Sequence, residues 1–284
     1  MTNDVFSIGG DLPVRRLGFG AMRLARNSLT GPARDPETGI AVLRRAADLG
    51  ADHIDTAWFY RRDGVAANDL IREALHPYPD GLVIATKVGP LLDERGIPSL
   101  QAKPDQLRAL VEDNLISLGL DRLDLVYLRV GAMSGPGGES IGERFAALAE
   151  LRDEGLIRHL GVSNVDAAQL AEARAIAPVA AVQNAFHVQD RGSASVLAEC
   201  AAAGIAFVPF FPLGGGRDPI DHARLERVAA RRRATTAQVA LAWLLAASPA
   251  TLAIPGTGSV EHLEENMGAA GLRLTGEDLS DLDS

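Results

Sequence analysis

Eight short apolar segments, each followed by a segment of helical periodicity, constrain the fold of this chain more than any other feature of its sequence. The eight segments lie at residues 16–22, 50–55, 82–87, 123–128, 157–162, 179–183, 205–209 and 251–254. Alternating strands and helices favour a parallel sheet, because a helix carries the chain back before the next parallel strand begins. Eight repeats over this length predict an α/β fold in which the sheet closes into a (β/α)8 TIM barrel.

A short N-terminal β-hairpin is predicted before the barrel, because residues 5–8 and 13–15 flank the turn sequence Gly9-Gly10-Asp11. No glycine-rich or proline-rich linker divides the 284 residues, so we predict a single domain over residues 1–284. A doubly wound open sheet is the alternative architecture. It would be favoured by a G-x-G-x-x-G turn after the first strand, and this strand lacks one.

Charge and composition narrow the classes of partner. The formal net charge is −9, which gives no basic surface for nucleic acid or for an anionic membrane. The single cysteine, Cys200, has no partner for a disulfide or a zinc site, and we expect no bound metal. The N-terminus lacks a basic segment followed by an apolar one, and no apolar run reaches membrane-spanning length, so we expect a cytoplasmic protein.

Small or polar side chains follow the apolar interior of nearly every predicted strand. In a barrel, the carboxyl ends of the strands converge on one face, and barrel enzymes hold their active sites there. The residues expected at this face are 20–22, 55–60, Lys87, Arg129, 163–164, 183–184, 210–216 and 255–259. We therefore expect the functional site at the carboxyl ends of the strands.

Asp55, Tyr60 and Lys87 are the candidates for acid–base chemistry at this face. Taken singly, the lysine could reach solvent, the aspartate could cap a helix or a loop, and the tyrosine could be a packed ring. Taken together they form a coherent set. A phenol in water loses its proton only near pH ~10. A lysine cation held by a buried carboxylate favours the phenolate, which suits a group that protonates a carbonyl oxygen while the carbon receives a hydride.

Beyond these three residues, the sequence resembles the aldo-keto reductase family over nearly its whole length. The matching motifs occur in order on the expected strands: Asp55-Thr56-Ala57-x-x-Tyr60, Thr86-Lys87, Gly161-Val162-Ser163-Asn164, Val182-Gln183-Asn184 and Ile254-Pro255-Gly256. The resemblance implies a barrel that binds NADP(H), with NAD(H) as the less favoured cofactor. It also implies that Tyr60 is the proton donor and that Lys87 and Asp55 adjust its acidity.

The resemblance further implies which residues bind the cofactor. Ser163, Asn164 and Gln183 would bind the carboxamide, Phe210 would stack on the nicotinamide, and Leu213, Gly214 and Gly215 would lie along the pyrophosphate. Thr257, Ser259 and His262 would contact the 2′-phosphate, and Glu265 and Asn266 the adenine. The remaining expected cofactor contacts are Gly20, Ala21, Met22, Asp55, Phe211, Pro212, Pro255 and Gly256. A plain flexible loop is the alternative for the glycines that begin at Gly214.

Two positions depart from the family pattern. Arg129 stands where the family has a catalytic histidine; arginine donates only, so it cannot shuttle a proton, but it can stabilise negative charge on the carbonyl oxygen. We include Arg129 in the catalytic set. The alternative is a weakly catalytic NADP(H)-binding protein. His262 replaces an arginine that many members place on the 2′-phosphate, which weakens the expectation of NADP(H) without reversing it.

The substrate is predicted from a narrower resemblance. Arg129, Gly31-Pro32-Ala33-Arg34-Asp35 and the segment 210–215 are similar to the bacterial pyridoxal reductases of the family. This resemblance implies reduction of pyridoxal to pyridoxine, with Trp58, Phe59 and Phe211 as the wall of a pocket for a flat ring. Loop packing is the alternative for these aromatic residues, and a broad carbonyl reductase or alcohol dehydrogenase is the alternative activity. We expect a small carbonyl substrate and a monomer, with an oligomer left open.

Overall fold

The chain is described by a computed structural model that covers residues 4–26, 31–131, 135–136, 138–216 and 222–283. Its strands are β1 Val5–Ile8, β2 Leu12–Arg15, β3 Phe19–Gly20, β4 His53–Asp55, β5 Arg61–Arg62, β6 Val65–Ala66, β7 Val83–Val88, β8 Pro90–Leu92, β9 Pro98–Gln101, β10 Leu123–Arg129, β11 Ile157–Ser163, β12 Val179–Gln183 and β13 Ala206–Phe207. Its helices are α1 Met22–Ala25, α2 Pro36–Asp48, α3 Ala67–Leu75, α4 Leu107–Leu118, α5 Gly142–Asp153, α6 Ala167–Ile176, α7 Ala194–Ala203, α8 His222–Arg232, α9 Thr236–Ala247, α10 Val260–Met267 and α11 Gly276–Asp283.

Seven strands form one parallel sheet in the order β13-β12-β11-β10-β7-β4-β3. Segment 251–255 joins its two edges, through a parallel bridge from Thr251 to Phe207 and another from Ala253 to Leu17. The predicted (β/α)8 barrel is confirmed, and the doubly wound open sheet is wrong. The eighth strand consists of isolated bridges only. The first and eighth strands come very close here, because a Cβ atom on Gly20 would lie 2.7 Å from the carbonyl oxygen of Ile254.

The predicted N-terminal hairpin is confirmed and closes the bottom of the barrel. Strands β1 and β2 pair antiparallel, and Ile8, Leu12 and Val14 are buried in the same apolar cluster as Val83 and Leu125 from inside the barrel. This packing seals the amino-terminal end of the barrel from water. The hairpin therefore covers the end of the barrel opposite to the carboxyl ends of its strands.

Local signals in the sequence account for several helix boundaries. Helix α2 begins with Pro36 after Asp35, whose side chain accepts a hydrogen bond from the Thr38 backbone N–H at 3.0 Å. Helix α4 ends at Gly119, which adopts a left-handed φ of 65°. The predicted helix from residue 103 divides into a 3-10 turn, Pro104–Gln106, followed by α4.

Some elements differ from the sequence-based expectation. Apolar periodicity does not predict the hairpins β5–β6 and β8–β9, because their strands are only two to four residues long. Part of the predicted loop 27–39, at residues 27–30, lies outside the described residues, as do residues 219–221 at the predicted start of α8. None of the helices in the described ranges is long and apolar enough to cross a membrane.

Candidate active site

Five polar side chains form the uppermost layer inside the barrel. Alternate residues of a strand share one face, and the inward residues below this layer are apolar or aromatic, such as Ala85 below Lys87 and Tyr127 below Arg129. The five buried residues of the layer are Asp55, Lys87, Arg129, Ser163 and Gln183. The strands thus bring together the groups that the sequence predicts at the barrel mouth.

Lys87 and Asp55 form a buried ion pair at the centre of this layer. The Lys87 Nζ donates to Asp55 Oδ1 at 2.5 Å and to the Thr56 carbonyl oxygen at 2.8 Å, and both charged side chains are 3% exposed. The second carboxylate oxygen of Asp55 accepts from Gln183 Nε2 at 2.8 Å. Two acceptors at the end of β4 thereby hold the ammonium in one place, and Gln183 on β12 fixes the carboxylate. Charge-assisted hydrogen bonds of this kind are strong.

Tyr60 lies beside this ion pair, at the end of the loop that follows β4. Its ring centroid is 4.9 Å from Lys87 Nζ, and its ring packs edge-on against Phe59 at 5.3 Å. Burial alone would lower the pKa of Lys87, but the attraction and hydrogen bonding of Asp55 and Tyr60 raise it above its ordinary value. The lysine is therefore a fixed cation next to the phenol throughout the neutral pH range.

Arg129 lies on the other side of the cavity, where the sequence predicts it. Its Nη1 donates to Ser163 Oγ at 3.4 Å, and its guanidinium carbon is 4.8 Å from the centroid of the Phe210 ring. Burial lowers the pKa of Arg129 to about 10, against an opposing attraction to Tyr60. The guanidinium thus stays charged at neutral pH. It can donate hydrogen bonds to a negatively charged oxygen, but it does not exchange protons.

A groove runs from this layer across the barrel rim, and three of its lining residues are glycines. Its lining residues are Gly20, Met22, Arg23, Asp55, Tyr60, Phe210, Phe211, Pro212, Leu213, Gly215, Ile254, Pro255 and Gly256. Ala21 lies buried behind the floor, and its N–H donates to the Asp55 carbonyl oxygen at 2.8 Å. Most of these residues belong to the expected cofactor set, so the groove has the location expected for a dinucleotide.

The turn at residues 211–215 depends on backbone conformations that favour glycine. Phe211 has a φ of 55°, which is unusual for a bulky residue, and the Gly214 N–H closes the turn by donating to the Phe211 carbonyl oxygen at 2.9 Å. Gly214 and Gly215 also have positive φ, and a Cβ atom on Gly215 would lie 2.7 Å from the Phe211 ring. The glycines are therefore required by a defined turn, which argues against a plain flexible loop.

The residues expected around the 2′-phosphate gather at the start of α10. Ser259 is the N-cap of this helix and accepts from the His262 backbone N–H at 3.3 Å, while Thr257 Oγ1 accepts from the Ser259 N–H at 3.1 Å. The His262 side chain is exposed. Of the two residues expected at the adenine, Asn266 is buried, and the backbone carbonyl of Glu265 accepts from Gln238 at 2.9 Å.

Two expected site residues have their polar groups engaged away from the groove. Asn164 Nδ2 donates to the carbonyl oxygens of Val130 at 2.9 Å and Gly135 at 2.7 Å. Trp58 Nε1 donates to Asp113 on α4 at 3.2 Å. Their roles toward cofactor and substrate stay predictions.

The residues present suit a nicotinamide dinucleotide on one further observation. Gly20, Gly215 and Gly256 line the groove without side chains, so a pyrophosphate can approach the backbone there closely. The aromatic ring of Phe210 lines the groove and also its inner end beside Lys87 and Arg129, where a flat nicotinamide ring can lie against it.

Three arginines near the site were missed by sequence reasoning, which ended the first strand at Met22. Arg23 Nη2 donates to the Gly215 carbonyl oxygen at 2.7 Å, and Arg26 lines the inner end of the groove next to Tyr60. Arg34 Nη1 donates to the Gly258 carbonyl oxygen at 3.2 Å. No periodic signal marks these arginines in the sequence, because α1 is only four residues long and Arg26 follows it in an extended conformation.

Neither a metal centre nor a reactive thiol is found in the part of the chain that the structure describes. No group of three histidine, cysteine, aspartate or glutamate residues in the described ranges is arranged to hold a metal ion. Cys200 is buried in α7, and its burial, together with the nearby Glu199 carboxylate, raises the pKa of the thiol to about 12. The thiol therefore stays protonated and packed.

Sequence comparison finds relatives that cover the whole chain. The Aldo/keto reductase family matches residues 16–218 and 221–284. Pyridoxine 4-dehydrogenase of Escherichia coli is 47% identical to the chain over 285 residues, which is 100% of this chain and 98% of that protein.

Solved structures share the same architecture. A thermostable aldo-keto reductase crystallised with the inhibitor epalrestat is 30% identical, superimposes with a TM-score of 0.83, and matches over 98% of both chains. An aldo/keto reductase from Klebsiella pneumoniae, crystallised with NADP and acetate, is 27% identical with a TM-score of 0.80, over 99% of this chain and 94% of that one. The barrel is thus common to proteins of similar length.

Proposed function

Because the chain belongs to the aldo-keto reductase family, we propose that it reduces a small aldehyde to an alcohol with NADPH, and that pyridoxal is the substrate. The observation that carries the proposal is the contact of Tyr60 with the buried Lys87–Asp55 ion pair. A cation held beside a phenol stabilises the phenolate that remains after the proton has been donated. This is the property that a proton donor to a carbonyl oxygen needs.

The cofactor supplies the hydride that the carbonyl carbon receives. Gln183 and Ser163 would hold its carboxamide, Phe210 would lie against its ring, and the turn 211–215 would follow its pyrophosphate. Backbone N–H groups in such a turn suit an anionic group, because they can approach it closely. These residues would hold the reactive ring at the inner end of the groove, beside Tyr60.

The protein's own groups would manage the proton and the charge on oxygen. As the carbonyl carbon is reduced, its oxygen becomes negative, and Tyr60 would donate the proton that completes the alcohol. Arg129, which stays charged near neutral pH, would donate a hydrogen bond to the same oxygen and stabilise its negative charge. Lys87 would stabilise the phenolate until it regains a proton.

Pyridoxal is proposed because the relative from Escherichia coli is named pyridoxine 4-dehydrogenase, and this chain is 47% identical to it. Pyridoxal is the aldehyde that corresponds to pyridoxine. The inner end of the groove is lined by Phe59 and Phe211, whose rings suit a flat heteroaromatic ring.

We expect the purified protein to oxidise NADPH in the presence of pyridoxal with a kcat/KM at least ~10-fold above that for benzaldehyde or butanal, since a matched polar pocket discriminates by this much or more. The measurement is the loss of NADPH absorbance over a panel of aldehydes. Comparable kcat/KM values across unrelated aldehydes would favour a broad carbonyl reductase. Tight NADPH binding without turnover of any carbonyl would favour a weakly catalytic binding protein.

Arg34 supports the preference for NADPH over NADH. Its guanidinium lies directly over Gly258 at the start of α10, where a Cβ atom would come within 2.3 Å of the Arg34 Nε. It also donates from Nε to the Arg23 carbonyl oxygen at 2.9 Å. We propose that this cation, together with the helix N-terminus, binds the 2′-phosphate in place of the arginine that His262 replaces.

Replacing Arg34 with glutamine is expected to weaken NADPH binding by about 10- to 100-fold, the range for a lost charge-assisted hydrogen bond, and to leave NADH binding within ~3-fold. Fluorescence titration of each cofactor measures both dissociation constants. Arg45→Gln is the matched control, because Arg45 pairs with Glu264 on the exposed side of α10 at 2.7 Å. Equal weakening of NADPH and NADH by Arg34→Gln would mean that Arg34 only supports the loop.

A further inference from the structure

A buried polar network lies directly behind the Lys87–Asp55 ion pair, between the strands and helices α3 and α4. Its five side chains, four of them buried and one half-buried, are Thr56, Asn68, Thr86, Asn114 and Ser117. We call it the Asn114 network. Side chains alternate along a strand, so the residue after Asp55 and the residue before Lys87 direct their hydroxyl groups away from the barrel interior and toward the helices.

The hydrogen bonds of this network meet at one amide, that of Asn114 on α4. Its Oδ1 accepts from Thr86 Oγ1 at 2.7 Å and from Asn68 Nδ2 at 2.9 Å. The Oδ1 of Asn68, on α3, in turn accepts from Thr56 Oγ1 at 2.8 Å. One side chain of α4 therefore connects the segment that follows β4 with strand β7.

One backbone carbonyl sets the direction of these hydrogen bonds. Asn114 Nδ2 donates to the Leu110 carbonyl oxygen at 2.7 Å, and a carbonyl can only accept. The Asn114 amide must therefore present its Oδ1 to the network, so Asn68 presents its Nδ2 and keeps its Oδ1 for Thr56. Both threonine hydroxyls are then donors. A buried network with a single arrangement of donors and acceptors holds its members in one geometry.

The two ends of the network hold the backbone on both sides of the catalytic ammonium. The Thr56 carbonyl oxygen accepts from Lys87 Nζ at 2.8 Å, and the hydroxyl of the same residue is held by Asn68. At the other end, the hydroxyl that donates to Asn114 belongs to Thr86, the residue directly before Lys87. The ammonium is thus positioned from the helix layer as well as from within the barrel.

We propose that the Asn114 network is a positioning device for the reduction, which holds the Lys87 ammonium where it assists Tyr60. None of its side chains is among the residues that line the groove or its inner end, so the network acts only through the lysine. An ammonium that is held less firmly stabilises the phenolate less, and proton transfer to the substrate then becomes slower. The inference rests on the proposed function, in which Tyr60 donates the proton.

The first test is Thr56→Val, which replaces the hydroxyl by a methyl group of similar size. We expect kcat for pyridoxal reduction with NADPH to fall about 3- to 10-fold, the range for one hydrogen bond, while KM stays within ~2-fold. The decline of kcat at high pH is expected to move up by about 0.5 to 1 pH unit, because the phenolate is less stabilised and one pH unit corresponds to a tenfold change. Thr56→Ser, which keeps the hydroxyl, is expected to behave as the wild type.

Thr251→Val is the matched control for the loss of a buried threonine hydroxyl. Thr251 is also fully buried, but its hydroxyl has no hydrogen-bond partner among the described residues and does not line the groove. We expect this variant to keep the wild-type kcat and pH profile. A shift of the profile in Thr251→Val as large as that in Thr56→Val would assign the effect to the loss of any buried hydroxyl and overturn the role of the network.

The second test observes the ammonium directly and needs no turnover. Lys87 and Lys103 are the only lysines of the sequence, so NMR of protein labelled with ¹⁵N at lysine follows the Lys87 ammonium, and Lys103→Met confirms its signal. We expect its protons to exchange slowly with water in the wild type, because the group is buried and bonded to two acceptors. Thr56→Val and Asn114→Leu are each expected to speed this exchange by about 3- to 10-fold.

The two proposals fail in different ways. If no aldehyde is reduced with NADPH, the proposed function is contradicted, and the proton exchange of the ammonium still decides whether the network positions Lys87. If Thr56→Val lowers only the stability and leaves kcat, the pH profile and the exchange unchanged, the network is merely structural and the inference is overturned. If Thr56→Ser changes these quantities as much as Thr56→Val does, the hydroxyl is not the cause and the inference is likewise wrong.

Discussion

Replacing Tyr60 with phenylalanine is expected to lower kcat/KM for aldehyde reduction by about 100- to 10,000-fold, the usual contribution of a positioned general acid. The substitution removes the hydroxyl that would protonate the carbonyl oxygen. It keeps the ring that packs against Phe59 and lies 4.9 Å from the Lys87 ammonium. Rates of NADPH oxidation with pyridoxal measure the effect, and fluorescence titration is expected to show NADPH binding within ~3-fold of wild type, because the ring that faces the groove is retained.

Tyr78→Phe is the matched control for this prediction. The Tyr78 hydroxyl donates to the Leu118 carbonyl oxygen at 2.6 Å, on the outside of the barrel. Loss of that hydrogen bond is expected to cost about 1 kcal/mol of stability and to leave turnover unchanged. Undiminished turnover in Tyr60→Phe would exclude Tyr60 as the proton donor and would remove the main support for the proposed mechanism.

Replacing Lys87 with methionine is expected to have the second large effect, and to reduce both stability and activity. Methionine has a similar length but leaves the Asp55 carboxylate buried without its cation, which costs about 3–5 kcal/mol in the free energy of unfolding. Activity is expected to fall by about 100-fold or more, because the phenol loses the charge that favours its proton transfer. Chemical denaturation and steady-state kinetics measure the two effects.

A double substitution separates the two roles of Lys87. In Lys87→Met with Asp55→Asn, both charges of the buried ion pair are removed together. The free energy of unfolding is therefore expected to return to within about 1–2 kcal/mol of wild type, because a buried pair removed as a whole is often nearly neutral. Activity is expected to stay low. Recovery of activity in the double variant would contradict a chemical role for the lysine and would leave it only a structural one.

The only other lysine of the sequence, Lys103, is exposed, and Lys103→Met serves as the control. We expect neither stability nor activity to change much in this variant.

The pH dependence of stability gives a further check on the charge of Lys87. Because the pKa of Lys87 is raised in the folded protein, the stability from its charge is fully present below pH ~10 and is lost only as the pH rises through the raised value.

The barrel and the location of its site follow from the sequence because they depend on repetition. Each apolar strand with its following helix predicts one unit of a parallel sheet, and the carboxyl ends of parallel strands in a barrel must meet at one face. Asp55, Lys87, Arg129, Ser163 and Gln183 could therefore be expected near one another without any knowledge of side-chain directions. The structure brings all five into one buried layer.

Residues outside the regular strands were harder to predict. Trp58 stands two residues from Tyr60 in sequence, yet its indole N–H reaches Asp113 on α4. Arg26 and Arg34 belong to a connection without clear periodicity, and they return to the site only because that connection folds back across the rim of the barrel. The position of a loop residue in the sequence does not determine where its side chain points, because tertiary packing selects the side-chain rotamer.

The sequence by itself determined the eight strand–helix units, the polar residues at the ends of the strands, and Asp55, Tyr60 and Lys87 as the candidate acid–base set. It could do so because strand periodicity and topology determine which residues face inward. Only the tertiary structure decided three other features. Gln183 supports the Asp55 carboxylate that holds Lys87, the turn 211–215 needs its glycines, and arginines from the first connection line the groove. These features depend on contacts between segments far apart in the chain, which no local pattern encodes.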